Sequence, residues 1–137
     1  MTTIEEAVSW WQNAIEAFQM ANFGLNVSVM GAANRAYYSA FYAMNAILAV
    51  QGVEYKKHQA VEAAVHRDFV RTGRWTKDIG QKYTALFKLR LLGDYGNLER
   101  VSLDEAKTAI SFSWSILEAV SKERPDLFPL PDQKPQI

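Results

Sequence analysis

The sequence predicts an all-α protein, an up-and-down antiparallel bundle of about five helices. Apolar residues recur with a period of 3.6 through most of the 137 residues. The four prolines all lie within the last 13 residues, and long helices exclude proline from their interiors. No segment shows the strict polar–apolar alternation of a half-buried strand. Short connections between the periodic segments favour antiparallel neighbours.

Each periodic segment is bounded by a capping residue or a glycine. The predicted helices cover approximately residues 3–24, 27–51, 58–73, 76–93 and 102–123. Gly52 follows the second, and Ser102 with Glu105 has the spacing of a capping box at the start of the fifth. The chain is therefore divided into a bundle, 1–123, and a proline-rich C-terminal tail, 124–137.

We expect the tail to lie outside the core, because its four prolines leave little helical pattern. Leu127, Phe128 and Leu130 are apolar residues that can dock on a neighbouring surface. Removal of everything after Glu123 is expected to leave the bundle folded.

Composition excludes several classes of site. The chain has no cysteine, which excludes disulfides, zinc–cysteine sites, iron–sulfur clusters and cysteine nucleophiles. Glu62 and His66 form a single i, i+4 pair, and a di-metal bundle needs two such pairs. His66 is therefore expected to be exposed and without a role. We predict no metal and no cofactor.

The chain also lacks the sequence features of export and membrane insertion. Its first 16 residues hold three glutamates and no lysine or arginine, the reverse of a signal peptide. Residues 36–53 are uncharged but too polar and too short for a span of about 20 apolar residues. We expect a cytoplasmic protein with no membrane partner.

The net charge is zero, but its distribution is uneven. Residues 54–92 hold nine lysines and arginines against four acids, a net charge of +5, and the flanking segments are both acidic. This basic segment is either a solvated helix face or a surface that meets phosphate.

The second helix carries a polar stripe besides its apolar one. Arg35, Tyr38, Tyr42 and Asn45 follow at i, i+3, i+7 and i+10. Tyrosine and arginine are favoured on surfaces that a partner covers. The stripe is either a partly buried polar network inside the bundle or a dimer face or ligand cleft.

Two further polar residues lie on apolar helices. Arg90 has Asp94 at i+4, either as a structural ion pair or as a pair that holds the guanidinium at a cleft for phosphate. His58 starts the third helix in phase with its apolar stripe. A histidine in such a position is more often a core residue than a catalyst.

Three segments in order carry a family resemblance. They are Asn34-Arg-Ala-Tyr-Tyr-Ser-Ala-Phe41, Lys57-His58 and Arg90-Leu-Leu-Gly-Asp-Tyr95. Over about residues 5–123 the chain resembles the HEPN superfamily (higher eukaryotes and prokaryotes nucleotide-binding), and within it the small stand-alone prokaryotic proteins. The resemblance implies a helical bundle, a homodimer, and a small nucleotidyltransferase partner, often as a toxin–antitoxin couple.

Many members of that superfamily are metal-independent ribonucleases with an Arg-x4-His motif at the dimer cleft. The resemblance makes Arg90 the motif arginine, and the motif histidine falls on Tyr95. Tyrosine is a poor general base near neutral pH, since its ordinary pKa is about 10. The chain therefore departs from the catalytic pattern at this position.

The residues and the functions that the resemblance implies leave three alternatives. The leading one is a HEPN-type module that binds a nucleotide or RNA phosphate and acts with a nucleotidyltransferase. The second is an endoribonuclease, and the third is an interaction protein with no ligand. The predicted ligand-binding residues are Arg35, Tyr38, His58, Arg90, Asp94 and Tyr95, and the catalytic candidates among them are Arg90, His58 and Tyr95.

Overall fold

The computed structural model describes residues 3–95 and 101–135, with the backbone alone for residues 92–95. In this part of the chain there are five α-helices and no strand, which confirms the predicted fold class. The helices are α1 (Thr3–Gly24), α2 (Val29–Val50), α3 (His58–Ala64), α4 (Lys77–Tyr95) and α5 (Leu103–Glu123).

Helix α2 is the centre of the bundle and contacts the four other helices. Its side-chain contacts fix the direction of its neighbours. Trp10 of α1 lies against Tyr42, with ring centroids 5.7 Å apart, and the Ser39 hydroxyl donates to the Ala14 carbonyl at 2.8 Å. Numbers rise along α1 as they fall along α2, so the two helices are antiparallel.

The same reasoning orients α5 against α4. Arg74, just before α4, pairs with Glu123 at 3.2 Å. Farther along α4, Lys82 donates to the Ser115 hydroxyl at 3.2 Å. These contacts make the two helices antiparallel neighbours, as expected from their short connection.

The helix boundaries follow local chemistry, part of which the sequence predicts. Ser28 accepts from the Gly31 amide at 2.9 Å and caps α2. Ser102 and Glu105 form the predicted capping box of α5. Gly52 has φ 73°, a left-handed conformation that glycine adopts without steric cost.

The third helix departs from the regular form predicted for it. After Ala64 the chain continues as a π-helical turn, Val65–Val70, in which the Arg71 amide donates to the His66 carbonyl at 2.9 Å. Such turns are rare overall, and many of those that occur are found at functional sites. Gly73, with φ 83°, then redirects the chain toward α4.

The tail packs on the bundle, so the expectation that it lies outside the core was wrong. Phe128 is fully buried within the main apolar core, where its ring lies 5.2 Å from that of Trp11. Leu127 is half-buried against the same core, whereas Leu130 remains 37% exposed. A proline-rich segment without a helical pattern thus joins the core through its apolar side chains.

Two side chains of α1 bind the tail backbone and fix its course. Trp11 Nε1 donates to the Pro129 carbonyl at 2.9 Å, and Asn22 Nδ2 donates to the Lys134 carbonyl at 3.0 Å. Eleven residues of helix rise about 16 Å, and five residues of extended polyproline-like chain also span about 16 Å. The tail therefore runs parallel to α1 as an extended strap.

Within the described residues, no helix has the length and apolar character needed to cross a membrane.

Candidate functional site

His58 lies among aromatic residues of α2. Its ring stacks on Phe41 at a centroid distance of 4.2 Å and meets the edge of Tyr38 at 5.8 Å. Its Nδ1 and the Tyr37 hydroxyl share a hydrogen bond of 2.7 Å. We call Tyr37, Tyr38, Phe41 and His58 the His58 cluster.

The cluster holds the His58 ring in one orientation. Tyr37 is fully buried, so its hydroxyl is a fixed partner for Nδ1. When that phenol donates, the proton of the neutral imidazole is on Nε2. His58 itself is only partly buried, which combines an oriented ring with access to solvent.

Behind Tyr37 lies a second buried phenol, Tyr83 of α4, with ring centroids 6.3 Å apart. Burial raises the pKa of Tyr83 well above its ordinary value, and the neighbouring Tyr37 adds to the effect. The Tyr83 hydroxyl makes no hydrogen bond of good geometry with the described residues. It is thus a neutral phenol directly behind the His58 cluster, with Tyr37 as its nearest polar neighbour.

Arg35 joins the cluster through Tyr38. Its guanidinium carbon lies 5.2 Å from the centre of the Tyr38 ring, within cation–π range. Both side chains are half-buried. The structure therefore brings together three of the predicted ligand-binding residues: Arg35, Tyr38 and His58.

The rest of the polar stripe on α2 is mostly covered within the chain. Tyr42 is half-buried between Tyr38 and Trp10, with a centroid distance of 5.7 Å to each. Asn45 is buried, with 7% of its surface exposed. Helix α1 thus covers Tyr42 through Trp10, which agrees at this position with the alternative of a partly buried network inside the bundle.

Arg90 belongs to the face of α4 that meets Tyr37. Phe87 lies 6.4 Å from Tyr37 by ring centroids, and Arg90 follows it by three residues on the same helical face. Arg90 is half-buried. The side chains of Asp94 and Tyr95 lie outside the described residues, so the predicted six-residue site stays a prediction at those two positions.

A second polar cluster, which sequence reasoning missed, joins α3 to α4. His66 Nε2 lies 2.7 Å from the Thr84 hydroxyl and 3.0 Å from Glu62 Oε2. The Thr84 hydroxyl also donates to Glu62 Oε2 at 2.7 Å. His66 is half-buried and bonded, so the expectation that it is exposed and idle was wrong. The i, i+4 spacing of Glu62 and His66 was the available signal.

Gly80 permits the close approach on which this second cluster depends. A Cβ at Gly80 would lie 2.9 Å from Val70 and 3.1 Å from the His66 ring. The π-helical turn can therefore pack directly against α4 only because position 80 has no side chain.

The described residues contain no group of three or more histidine, aspartate and glutamate side chains that could hold a metal ion. A cavity of about 580 Å³ between α4 and α5 is lined by Arg74, Lys82 and Lys122 among others. It contains none of the predicted site residues, and its acidic lining residues, Glu118 and Glu123, offset its cations. We therefore place the candidate site at the His58 cluster on its chemistry, and not at this cavity.

Comparison with known proteins agrees with the resemblance. The family model of the HEPN domain matches residues 7–124. A UPF0332 protein of Thermotoga maritima is 35% identical over 129 residues, which cover 93% of this chain and 98% of that protein. The family-model match over residues 7–124 includes the His58 cluster. The chain belongs to the HEPN domain family, and with it to a group of nucleotide- and RNA-related modules.

Proposed function

We propose that this chain binds a nucleotide or an RNA phosphate at a site formed by Arg35, Tyr38, His58 and Arg90, with Asp94 and Tyr95 beside them. The observation that carries the proposal is the oriented, partly exposed His58 ring, with the Arg35 guanidinium over neighbouring Tyr38. An arginine fork suits phosphate oxygens. Aromatic faces stack on bases, worth about 1–3 kcal/mol per base.

Binding measurements with AMP, ATP and short single-stranded RNA test this proposal. Arg35→Gln removes the positive charge and keeps a polar side chain at this position. Loss of a charge-assisted hydrogen bond of about 1.5–3 kcal/mol is expected to weaken binding about 10- to 150-fold. Arg124→Gln is the matched control, because among the described residues its side chain pairs with exposed Asp126 and lies outside the candidate site. Equal affinity of the two variants, or no binding by the wild type, would reject the site.

Metal-independent RNA cleavage is the second candidate function. It is favoured by the hydrogen bond between Tyr37 and His58 Nδ1, because a second group that orients an imidazole is typical of general acid–base catalysts. The two roles separate in a cleavage assay with EDTA present. Cleavage that is lost in His58→Gln, while RNA binding persists, indicates an endoribonuclease. If the wild type binds RNA without cleaving it, the result favours a binding module and rejects the nuclease.

We further propose that the protein is a homodimer, with the half-buried Tyr38 face at the interface. An isologous contact would bring two copies of Arg35 together, and an anion between them would relieve their repulsion. A stable interface buries about 800 Å² on each partner. Tyr38→Glu should give monomers in sedimentation, whereas Tyr55→Glu should not. If the wild type sediments as a monomer at micromolar concentration, the proposal of a cleft shared by two protomers is rejected.

The partner that the family suggests is a small nucleotidyltransferase, in a toxin–antitoxin couple. Co-expression of the chain with such an enzyme, followed by co-purification, tests this pairing. Stable co-purification without nucleotide or RNA binding would instead favour the interaction protein with no ligand.

A further inference from the structure

A separate pocket lies where the π-helical turn meets α4. It has a volume of about 340 Å³ and is lined by His66, Val70, Arg71, Lys77 and Gln81. We call it the Arg71 pocket. Its lining holds two cations, an imidazole and an amide, and no carboxylate.

The two cations of this pocket differ from their neighbours in pairing. Arg67 pairs with Asp68 at 2.8 Å, and Lys82 pairs with Asp78 at 3.1 Å. Arg71 and Lys77 are both exposed and have no carboxylate partner among the described residues. Two cations at one pocket repel each other unless an anion lies between them.

The nearby carboxylates are already engaged. Besides Asp68 and Asp78, Glu62 accepts from Thr84 at 2.7 Å and contacts His66 at 3.0 Å. None of these three acids lines the pocket, so the positive charge at Arg71 and Lys77 is left for a ligand from outside.

The backbone that carries the two cations is held in place. The Arg71 amide bonds to the His66 carbonyl at 2.9 Å, and the Trp75 amide bonds to the Phe69 carbonyl at 2.8 Å. The rings of Phe69 and Trp75 lie 4.5 Å apart, with both residues buried. The separation between Arg71 and Lys77 is therefore set by packing and not by a free loop.

We propose that the Arg71 pocket binds a phosphate group, either a phosphodiester of an RNA strand or free phosphate. Arg71 supplies a planar fork for two oxygens, Lys77 a point charge and Gln81 an amide donor. The RNA form of the proposal rests on the proposed function: a strand held at the His58 cluster extends along α3 to this pocket. The phosphate form stands without it.

The first experiment titrates inorganic phosphate into the full chain and follows the Gln81 side-chain amide and the Arg71 guanidinium by NMR. In the wild type we expect the chemical shifts of both groups to change saturably with phosphate. In the double variant R71Q/K77Q we expect the chemical shift of the Gln81 amide to stay unchanged. Both substituted side chains are exposed, so the bundle remains folded. Shifts no larger than those produced by chloride at equal ionic strength would overturn the phosphate site.

The second experiment measures the affinity for a single-stranded RNA dodecamer over a range of salt concentrations. In R71Q/K77Q we expect about a tenfold loss and a salt slope smaller by about 0.7 for each phosphate contact removed. The charge-matched control is K88Q/K122Q, since both lysines are exposed and lie outside the Arg71 pocket. Equal losses in the two double variants would exclude RNA as the ligand of this pocket.

The two experiments separate this inference from the proposed function. Failure of the wild type to bind RNA rejects the RNA form of the proposed function and the strand path, and the phosphate titration alone then decides the pocket. RNA binding that is weakened by Arg35→Gln but not by R71Q/K77Q supports the His58 cluster and rejects the strand path along α3.

Discussion

Substitution of Phe128 by alanine tests whether the C-terminal strap is part of the core. The side chain is fully buried and packs 5.2 Å from the Trp11 ring. A Phe→Ala change in a core costs about 3–5 kcal/mol, from lost burial and the cavity left behind. The expected loss is a large fraction of a total stability of about 5–15 kcal/mol.

The expected change in melting temperature follows from the chain length. An unfolding entropy of about 2.1 cal/mol/K per residue gives about 0.29 kcal/mol/K for 137 residues. Each kcal/mol then lowers the melting temperature by about 3.5 °C, so Phe128→Ala lowers it by roughly 10–17 °C. Differential scanning calorimetry measures this shift directly.

Leu130→Ala is the matched control within the same segment. Leu130 is 37% exposed, so its loss is expected to cost less than about 1 kcal/mol, or about 3 °C. A shift below about 3 °C for Phe128→Ala, or equal shifts for the two variants, would refute a core role for the strap.

Truncation after Glu123 extends the same reasoning. It removes Phe128 and also the hydrogen bonds from Trp11 and Asn22 to the tail backbone. With about 1 kcal/mol for each bond, the total loss is about 5–7 kcal/mol. The structure therefore predicts that the truncated chain is marginally stable or unfolded at 37 °C. Cooperative melting close to that of the full chain would contradict this and restore the expectation from the sequence.

Three further substitutions test a hydrogen bond of the His58 cluster, the buried phenol behind it and the close packing at the second polar cluster. Tyr37→Phe removes the hydrogen bond to His58; we expect a loss of about 1 kcal/mol and a changed tautomer ratio of His58 by ¹⁵N NMR, and an unchanged ratio would show that Tyr37 does not orient the ring. Tyr83→Phe removes a buried hydroxyl without a described partner, so urea denaturation should show equal or slightly higher stability. Burial raises the pKa of Tyr83, so the folded state favours the protonated phenol. The contribution of this preference to the free energy of unfolding is complete below pH 10 and is lost as the pH rises above it. Above pH 10, Tyr83→Phe should therefore lose less stability than the wild type. Gly80→Ala places a Cβ 3.1 Å from His66 at a cost of about 1–3 kcal/mol, against a gain in helix propensity of about 1 kcal/mol, and a net gain in stability would show that the turn can move away from α4.

The helix boundaries were predictable because their causes are local. Ser102 and Glu105 cap α5 through atoms only three residues apart, and Gly52 supplies a left-handed turn that its own backbone allows. Periodicity left open whether the polar stripe of α2 lies inside the bundle or on a surface that a partner covers.

The strap and the second polar cluster were not predictable in this way, because each joins residues far apart in the chain. Trp11 and Pro129 are 118 residues apart, and no local pattern pairs an indole with one particular carbonyl. The bond between His66 and Thr84 depends on how closely the π-helical turn approaches α4, and Gly80 decides that distance. The apolar residues Leu127 and Phe128 in the tail were the one sequence signal that the strap docks.

The register of α4 determines the geometry of both candidate sites. Tyr83 and Phe87 pack against Tyr37, which holds His58 at the first site. One turn earlier, Gly80 lies against the π-helical turn that lines the Arg71 pocket. A helix is stiff over these two turns, because its backbone hydrogen bonds are continuous. A shift of α4 would therefore move the wall behind His58 and the wall of the Arg71 pocket together. Helix α3 is short and carries His58 at its start, so α3 and α4 together set the distance between the two sites. An RNA strand that bridged the sites would therefore favour one register of α4.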